Sequence, residues 1–288
     1  MKLACADDTF RMLRPHRAAL DLVASLGVEG VDLFLCGNRS IVRPEDVRED
    51  VAGAADRIRE DLRATGLAVS DVFVIPWTDL ETMAPNHPEP GERDRARGLF
   101  DDMLELTVRL EAPGLTILPG IHWPGESHDD SLSRATEELQ RRAEQARREG
   151  LRFSIEPHVG SVAETPELAL RLLEASPALE VTLDYSHFVR QGLPETAADV
   201  LAPRARHVHV RGASRDRIQT SLRDNEIDLE RMIDALRSAR YDGYLALEYV
   251  WLEWERCNEC DNLSETILLR DRLRAALAGE AWQYPAVG

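Results

Sequence analysis

Lysine is almost absent from this chain, because Lys2 is its only lysine. Schiff-base aldolase chemistry, pyridoxal-phosphate attachment and the Walker phosphate-binding motif each need a lysine inside the fold, so we exclude all three. Arginine supplies the other basic charges, yet the formal net charge is −17. Affinity for nucleic acid depends on Lys and Arg displacing counterions from phosphates, so we expect no nucleic-acid partner.

Long apolar runs and cysteines are also scarce. No stretch approaches the roughly 18 apolar residues of a membrane helix, and residues 1–12 carry charges where a secretory signal needs an apolar run. Four cysteines in 288 residues do not make a disulfide framework. Cys257 and Cys260 form a lone CxxC, which we interpret as two free thiols. We predict a soluble, cytoplasmic protein with no membrane association.

Strand-like and helix-like stretches alternate along the chain, with the first strand at 2–6 and a helical spacing of apolar residues over 47–66. The count comes to eight strands and eight helices. Such alternation indicates an α/β protein with a parallel sheet covered by helices. Eight units of this length predict a single (β/α)8 TIM barrel as one domain over 1–288. A doubly wound sheet is the alternative, but no GxGxxG follows the first strand.

In the second half, four short apolar segments each end in a side chain that can bind a metal. These side chains are Glu156, Asp184, His209 and Glu248. They are 25 to 39 residues apart, which is enough for a crossover between parallel strands. All four would then meet at the carboxyl ends of the strands, where TIM barrels carry their active sites. The alternative is that each is a capped or salt-bridged polar group at a strand end.

Three carboxylates and one imidazole form a hard, oxygen-rich ligand set. Such a set suits Mn²⁺, Mg²⁺ or Co²⁺, with open positions for substrate oxygens and water, while Zn²⁺ is a second choice. We therefore predict one divalent metal ion at this site, with Mn²⁺ preferred.

The chain resembles the xylose isomerase-like barrels, a family of sugar phosphate isomerases and epimerases, and among them the ketose 3-epimerases. The family's metal ligands match Glu156 in IEPH, Asp184 in LDYSH, His209 in the HxH of strand seven and Glu248 in YDGYLALE. The resemblance implies that Glu156 and Glu248 also act as the catalytic acid and base. It further implies substrate contacts by His187 and Arg215. The larger xylose isomerases have a lysine in the metal site, and this chain has none to offer there.

This resemblance implies a divalent-metal-dependent isomerase or epimerase of a keto sugar or related polyol. A cation that chelates a carbonyl and a neighbouring hydroxyl acidifies the adjacent C–H and stabilises an enediolate. One carboxylate can then take the proton and the other can return it. Two alternatives stay open. One is a metal-dependent lyase or dehydratase of the inosose or dehydroshikimate type, and the other is a noncatalytic binding barrel.

Further side chains around the barrel mouth are predicted to contact the substrate. They are His158, His122, Trp123 and Trp251. His207 shares the pleat parity of His209 and is predicted to be hydrogen-bonded inside the barrel.

The loop after strand eight, residues 249–262, predicts an uncharged or weakly charged substrate. It has four acidic residues, a single arginine and no glycine, whereas phosphate-binding barrels present backbone amides to the anion there. We expect Arg215 to hydrogen-bond a substrate oxygen, and Arg211 and Arg217 to pair with surface acids. The predicted partner is a small sugar or polyol. The sequence leaves open whether the chain forms a homo-oligomer.

Overall fold

In the computed structural model, which describes residues 1–285, eight parallel strands pair in chain order and the last closes against the first. The strands are β1 (Lys2–Ala6), β2 (Gly30–Cys36), β3 (Ala68–Ile75), β4 (Gly114–Ile117), β5 (Arg152–Ile155), β6 (Leu179–Asp184), β7 (Ala205–Val210) and β8 (Tyr244–Leu247). The prediction of a (β/α)8 TIM barrel is therefore confirmed.

Helices connect the strands and cover the outside of the barrel. The α-helices are α1 (His16–Ser25), α2 (Pro44–Glu49), α3 (Val51–Thr65), α4 (Pro90–Arg109), α5 (His128–Arg148), α6 (Pro166–Ala175), α7 (Ser186–Arg190), α8 (Leu229–Ser238) and α9 (Asn262–Ala278). Their apolar faces pack on the outward side chains of the strands in one buried cluster, which includes Leu20, Met103 and Leu139. Within residues 1–285, no helix combines the length and apolar content needed to cross a bilayer.

The prediction of one helix over 47–66 is wrong, because the segment contains two helices. Asp50 separates α2 from α3 with φ −160° and ψ 82°, and its side chain accepts a hydrogen bond from the backbone N–H of Gly53. An aspartate in this position caps a new helix, because it satisfies an N–H that lacks a partner in the first turn. The apolar spacing continues across the break, so the pattern by itself conceals it.

The crossover between β6 and β7 contains no long regular helix. It consists of the short helix α7 and a 3-10 segment, Glu195–Arg204. Pro194 precedes this segment and Pro203 lies inside it. Pro203 lacks the backbone N–H that an α-helix uses, so it disfavours a regular helix at the end of this segment.

A polar network fills the barrel interior below the strand ends. Arg206 Nη2 on β7 donates to Asp71 Oδ1 on β3 at 2.8 Å, to Thr116 Oγ1 at 2.7 Å and to Ser154 Oγ at 2.6 Å. Ser154 in turn lies 2.9 Å from Thr182, oxygen to oxygen. Burying a charge is costly unless it is paired and hydrogen-bonded, and this network meets that requirement. The network fills the barrel interior beneath its mouth with hydrogen-bonded side chains.

Candidate active site

The four predicted ligands lie together at the carboxyl ends of the strands. Glu156 and Glu248 directly follow β5 and β8, Asp184 is the last residue of β6, and His209 is the second-last of β7. The sheet's hydrogen bonding continues past the strands, since Glu156 N donates to Ile117 O and Glu248 N to Val210 O. The side chains therefore project from fixed backbone. All four residues are at least 95 % buried.

Three of them form one compact group of donor atoms. His209 Nδ1 is 2.7 Å from Glu156 Oε1 and 3.4 Å from Glu248 Oε2. The ligand atoms of Glu156, His209 and Glu248 all lie within 4.8 Å of one another. A cation bound between them would contact two carboxylates and one imidazole nitrogen, which are common ligands for divalent metals.

The fourth predicted ligand, Asp184, lies beside this group and contacts an arginine. Its Oδ2 accepts a 2.6 Å hydrogen bond from Arg211 Nη2, and its Oδ1 accepts one from the backbone N–H of Ser186. Arg211 Nη2 also lies 3.2 Å from Glu248 Oε2. The expectation that Arg211 pairs with a surface acid is therefore wrong, because this side chain is buried between two of the predicted ligands.

The charges on the cavity side of His209 suit a divalent cation. When ionised, Glu156, Asp184 and Glu248 carry three negative charges, and Arg211 supplies one positive charge in direct contact with two of them. The excess is two negative charges. Glu248 Oε2 is buried, and although it lies 3.2 Å from Arg211 Nη2 it accepts no well-directed hydrogen bond. Buried charges need compensation, so these residues fit a divalent metal ion.

The ring orientation of His209 supports the same fit. Its Nε2 is 2.8 Å from Asp32 Oδ2, and its Nδ1 faces Glu156. Both neighbours are carboxylate oxygens, whereas a neutral imidazole carries only one N–H. When Nε2–H donates to Asp32, the lone pair of Nδ1 faces the carboxylate oxygens of Glu156 and Glu248. Lone pairs repel one another, so a proton or a cation has to lie between Nδ1 and these oxygens. A metal ion at Nδ1 satisfies this requirement.

Burial and neighbouring charges raise the pKa values of two residues of the site and lower that of a third. Burial raises the pKa of Glu248 to about 7, against the opposing effect of Arg211. Burial disfavours the charged form of His209, but Glu248, Asp32 and Glu156 outweigh it and raise its pKa well above the ordinary value. Burial and the positive charge of Arg211 hold the pKa of His187 well below its usual range.

A second group of potential ligands, Glu156, His158 and His187, is disfavoured as a metal site by its hydrogen bonds. The backbone N–H of Val159 donates to His187 Nδ1 at 3.1 Å. A neutral His187 therefore carries its proton on Nε2, the nitrogen that faces Glu156 at 3.8 Å and Asp184 at 3.6 Å. A metal ion at Nε2 would have to displace this proton and would lie beside the positive charge of Arg211, 3.5 Å away.

A cavity of about 790 Å³ opens above Glu156 and Glu248. Phe34, Phe73 and Ile75 from β2 and β3 form an apolar wall on one side. The loop after β8 contributes another wall, where the ring of Trp254 stacks on His158 with centroids 5.3 Å apart and planes 24° apart. The cavity therefore combines charged groups at its base with apolar and aromatic sides.

The sequence also matches a known family. A family model described as xylose isomerase-like TIM barrel matches residues 20–269. The chain belongs to this family. The resemblance drawn from the motifs is thus confirmed, and the (β/α)8 barrel is the fold of the xylose isomerase-like proteins.

Solved structures with this barrel include enzymes with different activities. D-psicose 3-epimerase from Clostridium cellulolyticum H10 has a TM-score of 0.72 at 14% identity, over 97% of this chain and 98% of that chain. A probable 3-DHS dehydratase from Bacillus anthracis has a TM-score of 0.69 at 15% identity, over 94% and 100%. A xylose isomerase-like barrel from Mycobacterium smegmatis, in complex with magnesium, has a TM-score of 0.73 at 15% identity, over 96% and 97%. These likenesses show a shared fold. A comparison with curated proteins finds no match.

Two of the predicted substrate-contacting residues of this xylose isomerase-like chain lie at the site. His158 lines the cavity. His187 is fully buried beside it, with Nε2 3.5 Å from Arg211 Nη2. Substrate contact by either residue stays a prediction.

The other four predicted substrate-contacting residues are not among the residues that line the cavity within 1–285. His122 is exposed and contacts Glu126 O, while Trp123 is buried and donates to Asn86. Trp251 is 44% exposed, and its neighbour Trp254 faces the cavity instead. Arg215 is exposed and reaches Gly192 O at 3.5 Å. Substrate contact by these four residues stays a prediction.

Sequence reasoning missed Asp32 and the role of Arg211. Asp32 is an acid within the otherwise apolar strand β2, and this unusual position was the available signal. His207 was predicted correctly, because it lies inside the barrel with its Nε2 2.7 Å from Asp32 Oδ2.

Proposed function

We propose that the protein is a divalent-metal-dependent isomerase or epimerase of a keto sugar or related polyol. The observation that carries this proposal is the buried group Glu156, His209 and Glu248 at the base of an open cavity, with Glu248 Oε2 lacking a well-directed hydrogen bond. These three residues would hold the metal ion, with Asp184 beside them as the predicted fourth ligand. When bound, the ion would polarise the substrate carbonyl and stabilise negative charge on its oxygen.

The two glutamates supply the groups for proton transfer. They come from β5 and β8, and their ligand oxygens lie within 4.8 Å of each other. One carboxylate removes the proton beside the carbonyl, and the other returns a proton to the same or the neighbouring carbon. Arg211 and His187 lie at the same edge, where their N–H groups can donate to substrate oxygens.

The same two carboxylates would also serve a dehydratase, because both reactions begin by removing a proton beside a carbonyl. Product analysis separates them. We expect incubation with free ketoses such as D-fructose, D-tagatose and L-ribulose in deuterated water to give an isomer with deuterium on carbon. Loss of one water from 3-dehydroshikimate, without isomerisation of any ketose, would favour the dehydratase. No reaction with either class in the presence of Mn²⁺, Mg²⁺ or Co²⁺ would contradict the proposal.

The substrate is proposed to be uncharged. Each arginine in the cavity wall already faces a carboxylate, since Arg39 lies 3.6 Å from Asp8 and Arg190 lies 2.7 Å from Glu255. Arg211 is paired as described above. Glu253 and Glu164 add further negative charge to the wall.

We expect free ketoses to react with a higher kcat/KM than their phosphorylated counterparts. A phosphate dianion would have to displace these ion pairs and approach the acidic loop after β8. The measurement is steady-state kinetics on matched pairs, at constant ionic strength because charge effects are screened by salt. A clear preference for the phosphorylated member would contradict an uncharged substrate and would leave the isomerase proposal standing.

A further inference from the structure

Asp32 lies on the far side of His209 from the cavity and is fully buried. Its Oδ2 is 2.8 Å from His209 Nε2 and 2.7 Å from His207 Nε2. Its other oxygen, Oδ1, has no hydrogen-bond partner among the described residues. One carboxylate oxygen is therefore shared by two histidines that are successive inward-facing residues of β7.

This contact determines which nitrogen of His209 faces the cavity. A carboxylate accepts hydrogen bonds and favours the proton on the nearer ring nitrogen, Nε2. The lone pair of the neutral ring is then on Nδ1, which is the nitrogen beside Glu156 and Glu248. A carboxylate that orients a metal-bound histidine in this way also makes the imidazole a stronger ligand.

We propose that Asp32 is a positioning residue for His209, which fixes the Nε2–H tautomer and so directs Nδ1 toward the metal-binding group. The inference rests on the proposed function, since it assigns a metal ion to Nδ1. Asp32 itself does not touch the ion or the substrate. Its effect on both passes through the imidazole ring.

The neighbouring strand offers a matched control. Asp71 on β3 is the register partner of Asp32, and it is equally buried. Its carboxylate pairs with Arg206 at 2.8 Å and contributes to the interior network. Asp32 and Asp71 are thus two buried acids at one level of the barrel, and in the hydrogen bonds described above only Asp32 contacts a histidine of the site.

The test compares Asp32→Asn and Asp71→Asn with the wild type. Asparagine keeps the shape of aspartate and removes its charge. We expect Asp32→Asn to weaken Mn²⁺ binding about 10- to 100-fold, as is typical when the partner of a metal-bound histidine is replaced. Asp71→Asn should lower the urea midpoint of unfolding, because it leaves Arg206 buried without its counter-ion, and should keep the Mn²⁺ affinity of the wild type.

Mn²⁺ binding is measured by titration of metal-free protein, and unfolding by urea. A folded Asp32→Asn protein with wild-type affinity would overturn the inference. Equal losses of affinity in both variants would also overturn it, because they would reflect general destabilisation of the barrel.

A second measurement uses the wild type, so it does not depend on the folding of either variant. Nitrogen-15 NMR of the metal-free protein, recorded at a pH high enough for the His209 ring to be neutral, should place its one remaining proton on Nε2 in a hydrogen bond. A proton found on Nδ1 alone would refute the role of Asp32. If the wild type bound no divalent ion, the proposed function would fail, while this measurement would still decide the tautomer.

Discussion

The Glu156→Gln and Glu248→Gln variants are each expected to turn over a ketose substrate at least ~10²-fold more slowly than the wild type. Glutamine has nearly the same shape as glutamate, but it cannot accept or return a proton. Glu156 and Glu248 are buried at the base of the cavity, with no other carboxylate in the compact group to replace them. The measurement is kcat under saturating metal and substrate, with circular dichroism to verify the fold.

Exchange of the substrate proton with solvent distinguishes the glutamate that removes the proton from the glutamate that returns it. If one glutamate removes the proton, its glutamine variant should lose both turnover and the uptake of deuterium from deuterated water. Glu137→Gln is the matched control, because Glu137 is an exposed residue of α5 and does not line the cavity. Wild-type turnover in both Glu156→Gln and Glu248→Gln would contradict the two-glutamate scheme.

The His209→Ala and Asp184→Ala variants are expected to lose most of the bound divalent ion. His209 offers the single nitrogen ligand of the compact group, so its removal should raise the Mn²⁺ dissociation constant by at least ~10², beyond the range for residues outside the ligand set. Asp184 is held by Arg211 and Ser186, and its loss leaves the guanidinium with only Glu248 among the predicted ligands. Elemental analysis and Mn²⁺ titration measure the effect.

His128→Ala serves as the control for histidine removal, since His128 lies at the start of α5 and outside the cavity wall. Its metal content should equal that of the wild type. Unchanged metal content in both His209→Ala and Asp184→Ala would exclude the proposed ligand set. Loss in His209→Ala alone would indicate that Asp184 pairs with Arg211 and does not bind the ion.

Arg211 lowers the electrostatic cost of placing Asp184 and Glu248 close together. A fixed guanidinium beside Asp184 and Glu248 supplies a positive charge in the site before any metal arrives. The two carboxylates can therefore lie close together at lower electrostatic cost. This arrangement supports a preformed site in which a bound divalent ion would complete the charge balance.

The sequence by itself determined the fold and the position of the candidate metal ligands at the strand ends. Apolar segments that end in Glu156, Asp184, His209 and Glu248 recur at crossover-sized intervals, and parallel strands bring such ends to one edge of a barrel. These features can be predicted from the sequence because short segments determine where a strand lies and to which of its two faces each side chain points. The inward orientation of His207 followed from the same parity.

Only the tertiary structure decided which side chains meet across the barrel. Asp32 and His209 are 177 residues apart, and no local pattern relates them. Arg211 was assigned to the surface because arginine is usually exposed, yet the barrel places it between two buried acids whose charge offsets its burial. His122, Trp123, Trp251 and Arg215 lie on loops, and a loop's direction depends on packing that the sequence pattern does not encode.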